Sequence, residues 1–583
     1  MIAPTPATAP SPDHAPGHGP APGPAPGPGP EPGNDWQPPV MLVGDLLTDT
    51  VRDHGRRPGV DFLGRSWTWN QIGDLVTRAA RGLQDLGLKK GDRLALCLPN
   101  TPHYIALYYA AARVGVVVVN CNPLYTPREL RHLLNDSGAV AIAVPDIAEF
   151  HGKVTGVAAD SALRAIIVCP MAEILPWPQA LGWRLFKRSL HARIPPPGSG
   201  PVVHIDFVKL TLSRADPDPV DLTGDDLAVL QYTGGTTGTP KGAMLTHRNL
   251  TANALQQHRH IGIDLPAPQR TMAVLPFFHV FALTAVLDFS VLIGAELVLL
   301  PRFEMKAMCA AIRRKPPTMF FGVPTLFIAM NALPDAGLPD MSRVIACISG
   351  GAPLPFDVRA AFEHRTGVRI CEGYGLTEAS PVIACNPVFG EARANSCGVA
   401  FPGTVLEIRD PEDPTRIMPP GERGEVCVRG PQVMAGYWNQ PAETAATFVD
   451  GALRTGDVGY FDADGYLYLV DRIKDVILCG GYNVYPRAIE EAAYRHPAIE
   501  EAIAIGIPDA YRGQSPKLFV KLRDGAQITP DELRAFLAET LSKIELPKMI
   551  EIRDKLPRTM IGKLSKKELV AEELARAAAS NMP

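Results

Sequence analysis

No two of the ten cysteines stand as a C-x-x-C pair. That absence argues against a zinc knuckle or a redox dithiol, and the scattered spacing outlines no disulfide framework. Free, scattered cysteines fit a reducing cytoplasm. Neither sign of charge dominates: 57 Lys and Arg stand against 61 Asp and Glu, so no basic excess points to nucleic acid. Long apolar runs are missing as well. Arg113 interrupts the stretch 105–119, and Asp288 and Glu296 interrupt 273–300, which argues against a membrane-spanning helix. The first residues lack the cationic segment followed by an apolar one that marks a secretory leader. No unit of about 20–50 residues recurs, so a solenoid is not expected.

What the chain does have is size and ordinary polarity. Its 583 residues, 46% hydrophobic and 20% charged, suffice for several domains with a large core. Residues 1–39 are a Pro/Gly/Ala tail with little apolar surface to bury, expected to remain disordered. Beyond it, helical and strand patterns alternate. Thr68-Trp-Asn-Gln71 reads as a capping box opening a helix with apolar Ile72, Leu75, Val76, Ala79 and Leu83. Strands are expected at 93–98, 116–120 and 139–144, with helices at 104–114 and 127–136 between them. Such alternation predicts an α/β fold with parallel-rich sheets flanked by helices. The charged run Asp471-Arg-Ile-Lys-Asp475 marks a domain boundary. After it, a small α/β unit is expected, with helices at 486–495 and 530–543 and strands near 501–506 and 517–522.

The run Thr233-Gly-Gly-Thr-Thr-Gly-Thr-Pro-Lys241 is the densest chemical signal. Glycines let the backbone approach an anion, and successive N–H groups form a concave nest. Thr233, Thr236, Thr237 and Thr239 add hydroxyl donors, and Lys241 adds charge. This chemistry suits a polyphosphate. It is not a Walker A loop, because Pro240 precedes the lysine and no Ser or Thr follows it. The flanks 227–231 and 243–245 read as strands, so the loop is expected to join two strands.

Further motifs follow in order: Pro276-Phe-Phe-His279, Ser349-Gly-Gly-Ala-Pro353, Glu372-Gly-Tyr-Gly-Leu-Thr-Glu378, Leu453-Arg-Thr-Gly-Asp457 and Leu556-Pro-Arg-Thr-Met-Ile-Gly-Lys563. Each alone is weak. Together, over roughly 45–570, they resemble the adenylate-forming superfamily of acyl-CoA synthetases, luciferases and adenylation domains. Asn120–Leu130, Leu230–Gly238 and Gly481-Tyr-Asn-Val-Tyr-Pro486 look most like bacterial long-chain fatty-acid–CoA ligases.

The resemblance implies a two-step reaction: a carboxylate and ATP give acyl-AMP and pyrophosphate, then CoA displaces AMP. It implies a large N-terminal domain (40–470), a hinge (471–475) and a mobile C-terminal domain (476–583). By the same resemblance Lys563, Thr233, Glu378 and His279 are catalytic, and Glu378 and Thr236 hold Mg²⁺. ATP is gripped by Thr233, Gly234, Gly235, Thr236, Thr237, Gly238, Thr239 and Lys241. Gly350, Gly351, Glu372, Gly373, Tyr374 and Thr377 border the nucleotide. Asp457 and Arg472 take the ribose, with Lys474 beside them. Gly480, Gly481 and Tyr482 approach CoA after the C-terminal domain turns. Phe277, Phe278, His279, Phe321, Gly322, Val323 and Pro324 line the acyl pocket. Two features depart from the family pattern, Gly451-Ala-Leu453 and Ser565-Lys-Lys567. An acyl-AMP ligase loading a carrier protein, and a ligase for medium-chain or aryl acids, are the enzymatic alternatives. A non-enzymatic nucleotide- or acyl-binding protein is the third.

Residues 179–194 are expected to form a basic amphipathic helix. Trp183, Phe186, Leu190 and Ile194 share one face, and Arg184, Lys187, Arg188 and His191 lie largely opposite. Such a helix fits the surface of an anionic membrane, which makes a peripheral site on its inner face an expectation alongside the cytoplasm.

Overall fold

A computed structural model describes residues 36–196, 200–233, 240–262, 268–480, 482–509, 511–558 and 564–580, with side chains described through residue 576. The fold is α/β. Two large sheets carry most of it. One has seven strands, six of them parallel, closed by the antiparallel hairpin of Leu227–Thr233 and Lys241–Thr246. The other has nine strands, with a parallel centre and antiparallel edges. A five-stranded antiparallel sheet follows, and the chain from Ile477 onward builds a fourth sheet with its own apolar core.

Strand alternation explains why the seven-stranded sheet is covered on both faces. Along Arg93–Leu96, Leu94 and Leu96 join one apolar cluster and Ala95 the other. Parallel strands buried on both faces therefore read as apolar runs, as here. The helix Pro102–Arg113 is buried on nearly every side, with only Arg113 exposed. It starts where Thr101 caps the Tyr104 N–H and Pro102 occupies the first turn. The capping box at Thr68 is present, with Gln71 bonding back to the Thr68 N–H at 2.9 Å.

The expected helix at 179–194 is different in kind. The helix runs only Trp177–Phe186, because Lys187 leaves helical geometry at φ −112°, ψ 23°. A short 3-10 turn, Arg188–Leu190, follows, and His191 bridges to Ile147. Trp183 packs against the main core and stacks on His191 at 5.5 Å between ring centres. The four residues Trp183, Phe186, Leu190 and Ile194 therefore share no single face. The exposed apolar stripe is instead Trp177, Leu181 and Leu185, one helical turn apart, with Phe186 beside it. Among the described residues no helix is long and apolar enough to cross a membrane.

Candidate active site

The three N-terminal sheets and the C-terminal unit meet around one cleft of about 2310 Å³. At its edge the strands Leu227–Thr233 and Lys241–Thr246, which flank the glycine-rich run, pair as antiparallel partners. Thr233 pairs with Lys241 across the two strands, and the Thr233 hydroxyl faces the Lys241 carbonyl at 3.5 Å. Residues 234–239, hence Gly234, Gly235, Thr236, Thr237, Gly238 and Thr239, lie outside the described residues. Thr233 and Pro240, on either side of them, line the cleft.

The segment 434–438 braces this hairpin. Met244 N–H donates to the Gly436 carbonyl and Trp438 N–H to the Gly242 carbonyl. Lys241 does not line the cleft: its ammonium pairs with Glu443 and lies 5.2 Å from the Tyr437 ring centre. The Tyr437 hydroxyl donates to Glu378 Oε1 at 2.8 Å. Burial, with the Glu378 charge, raises the Tyr437 pKa and keeps its proton available for that bond. Glu378 stands in the short turn Thr377–Ala379 that follows the strand Ile370–Gly375.

The same cleft holds an ion-paired cluster. The Tyr374 hydroxyl donates to Asp457 Oδ2 at 2.5 Å, and Arg472 Nε lies 3.3 Å from Asp457 Oδ1. Strand register explains the pair, since Asp457 and Arg472 are direct antiparallel partners. Burial raises the Asp457 pKa against the pull of Arg472, and burial beside Arg472 lowers that of Lys474. Glu372 is also buried, which raises its pKa, and Arg359 stands 3.6 Å away. Gly350 and Gly351 follow the strand Ala346–Ser349; a Cβ on Gly350 would come within 3.1 Å of Phe281, so the wall tolerates little there.

The apolar wall contains Phe278, His279, Phe321, Val323 and Pro324. Phe277 and Gly322 do not face the cleft. The Phe277 side chain is fully buried against Tyr104, at 5.5 Å between ring centres, where the chain turns between Pro276 and His279. Gly322 turns toward Phe327, where a Cβ would come within 2.8 Å. The His279 ring caps the next helical turn, its Nδ1 accepting from the Phe281 N–H at 3.3 Å.

The C-terminal unit contributes Arg487, Glu490, Arg558, Leu564 and Lys566 to the lining. Lys563 and Gly481 lie outside the described residues. Arg558 and Leu564, bridged to each other across that gap, both line the cleft. Gly480 and Tyr482 do not, and Tyr482 is exposed.

Comparison with known proteins decides the family. The model for AMP-binding enzymes matches residues 47–438, and that for the AMP-binding enzyme C-terminal domain matches 488–563. The chain belongs to the AMP-binding enzyme family. A long-chain-fatty-acid–CoA ligase of Bacillus subtilis (strain 168) is 38% identical over 92% of this chain and 95% of its own. A feruloyl-CoA synthase of an Amycolatopsis species is 36% identical over 87% and 94%. The crystal structure of the anthranilate CoA ligase AuaEII with anthranoyl-AMP superposes with a TM-score of 0.81, 26% identity, and coverage of 93% and 99%. AMP-binding enzymes of this adenylate-forming type use ATP, Mg²⁺ and CoA.

The donor set fits the ion. Among the described residues no three His, Cys, Asp or Glu side chains converge as a cage. Mg²⁺ is commonly held by one or two carboxylates together with substrate phosphates, so a lone Glu378 is appropriate. Sequence reading missed Tyr437 and Glu443, which set Glu378 and Lys241. Neither lies in a glycine-rich motif, and only the pairing of 434–438 with the hairpin brings them in.

Proposed function

We propose that this AMP-binding enzyme activates a long-chain fatty acid as acyl-AMP and passes the acyl group to CoA. The observation that carries the reading is one cleft lined by Thr233, Glu378 and the Tyr374–Asp457–Arg472 cluster as well as by an aromatic and aliphatic wall. The identity to the Bacillus ligase supplies the acid class.

In the first step a carboxylate oxygen bonds to the α-phosphorus and the bond to the β-phosphate bridge breaks, releasing pyrophosphate. Positioning and charge stabilisation supply most of the catalysis. Thr233 and the glycine-rich run that follows it hold the phosphates, and Asp457 with Arg472 fixes the ribose. Glu378 would hold Mg²⁺, which would supply positive charge to offset that of the phosphates. Lys563 bridges carboxylate and phosphate. In the second step the CoA sulfur bonds to the acyl carbon, the acyl–phosphate C–O bond breaks, and AMP departs as the thiol proton passes to solvent. Rotation about 471–475 withdraws Lys563 and brings Gly480, Gly481 and Tyr482 toward CoA.

The test is CoA-dependent AMP release across fatty acids of graded length and an aryl acid. Preference for long chains supports the reading. Preference for the aryl acid favours the alternative suggested by the Amycolatopsis relative, and AMP release only with a carrier protein favours an acyl-AMP ligase.

The partner surface for fatty-acid supply is the exposed stripe Trp177, Leu181, Leu185 and Phe186, rimmed by Arg184, Lys187 and Arg188. An apolar stripe with a basic rim matches an anionic lipid surface. Flotation with phosphatidylglycerol vesicles, lost in Trp177→Ser/Phe186→Ser, is the expected result; failure of the parent protein to float would end the idea.

A further inference from the structure

A chain of buried amides runs under the acyl wall. The Tyr104 hydroxyl donates to Asn120 Oδ1 at 2.6 Å and lies 3.0 Å from the Phe277 carbonyl. Asn120 Nδ2 donates to Gln231 Oε1 at 2.8 Å, and Gln231 Nε2 donates to the Phe278 carbonyl at 2.9 Å. All three side chains are nearly inaccessible, yet Asn120 and Gln231 both border the cleft. From the other side Asn100 holds the same segment, donating to the Ala273 and Leu275 carbonyls and accepting from the Phe277 N–H at 2.8 Å.

These bonds join two parts of the site. Gln231 lies on the strand that ends at Thr233, where the phosphate-binding run begins. Phe278 and His279 form part of the acyl wall. The direction of each bond is fixed: a hydroxyl donates to an amide oxygen, that amide's nitrogen donates to the next oxygen, and the last nitrogen donates to a carbonyl. No member can turn over without leaving a buried polar group unpaired, which is costly.

We infer that Gln231 is a positioning residue that sets Phe278 and His279 against the acid while the adjoining strand holds the phosphates. This rests on the reading that the wall faces a carboxylic acid. Gln231 stays bonded to the protein and makes its contribution through the Phe278 carbonyl. Asn120 orients the Gln231 amide, and Tyr104 orients Asn120.

Two variants and three readouts test it. Gln231→Leu keeps the volume but leaves the Phe278 carbonyl and Asn120 Nδ2 unpartnered. A shift of about 1 Å at a positioning group costs up to about 100-fold, so KM for the acid should rise roughly 10- to 100-fold. KM for ATP should stay within about twofold, because the strand pairing that carries Thr233 is backbone-made. Tyr104→Phe removes only the far end of the chain and should raise the acid KM by a smaller factor, in the same direction. It also serves if Gln231→Leu does not fold. Thermal midpoints are the third readout. Equal rises in both KM values, or a lower thermal midpoint with an unchanged acid KM, would overturn the assignment. A wild-type enzyme that activates no acid would instead refute the reading beneath it.

Discussion

Asp288 gives the sharpest electrostatic prediction. Its carboxylate is fully buried and accepts from Tyr109 at 2.9 Å and Tyr108 at 3.1 Å. Burial outweighs both donors and pushes its pKa from 3.8 up to about 7. The native state therefore holds this proton more tightly than the unfolded chain does. The resulting stability is full below the unfolded value and is lost as pH rises through the folded one. Between about pH 5 and pH 8 roughly 2 pH units of differential binding accumulate, at about 1.4 kcal/mol each, or about 3 kcal/mol. Asp288→Asn cannot ionise, and it still offers one acceptor and one donor to the two tyrosines. Urea unfolding of both proteins should show the variant gaining about 3 kcal/mol on the wild type across this range. The segment concerned, Leu283–Asp288, also carries Ala285 of the cleft wall. A difference between the proteins that does not change with pH would refute the reasoning.

Other outcomes follow from the cleft. Tyr437→Phe frees Glu378 from its hydroxyl partner; loss of an outer-shell contact typically costs about 10- to 100-fold in metal affinity, so half-maximal activity should need at least about tenfold more Mg²⁺. Asp457→Asn exchanges charge-assisted hydrogen bonds for neutral ones, which are weaker by about 1 kcal/mol each. With two ribose hydroxyls, KM for ATP should rise by at least about tenfold, and 2′-deoxy-ATP should lose less than ATP does. Because burial raises the Asp457 pKa, the same variant should unfold at an equal or higher urea concentration near neutral pH, a gain in stability at the expense of binding.

Much of the fold was legible because its signals are local. Capping at Thr68, the helix from Pro127, and the strands around the glycine-rich run follow from neighbouring residues. The C-terminal helix expected at 530–543 ends at Leu537, since the residues after it form turns that periodicity alone does not distinguish. The helix at 177–186 shows the same weakness: a regular pattern of Trp183, Phe186, Leu190 and Ile194 cannot reveal that Lys187 leaves the helix. At the site, which of Phe277 and Phe278 faces the cleft depends on the phase of a short loop. That phase is fixed by Asn100 and Gln231, each far away in sequence. Likewise Tyr437 reaches Glu378 only through tertiary pairing with the hairpin.

The central claim is that the cleft forms an acyl-adenylate before any thioester. Acid-dependent exchange of labelled pyrophosphate into ATP, measured without CoA, tests it most directly. The account predicts exchange with a long-chain acid in the parent protein and a loss of about 100- to 1,000-fold in Lys563→Ala, while preformed acyl-AMP still yields acyl-CoA in that variant. No acid-dependent exchange in the parent protein, or undiminished exchange in Lys563→Ala, would contradict it.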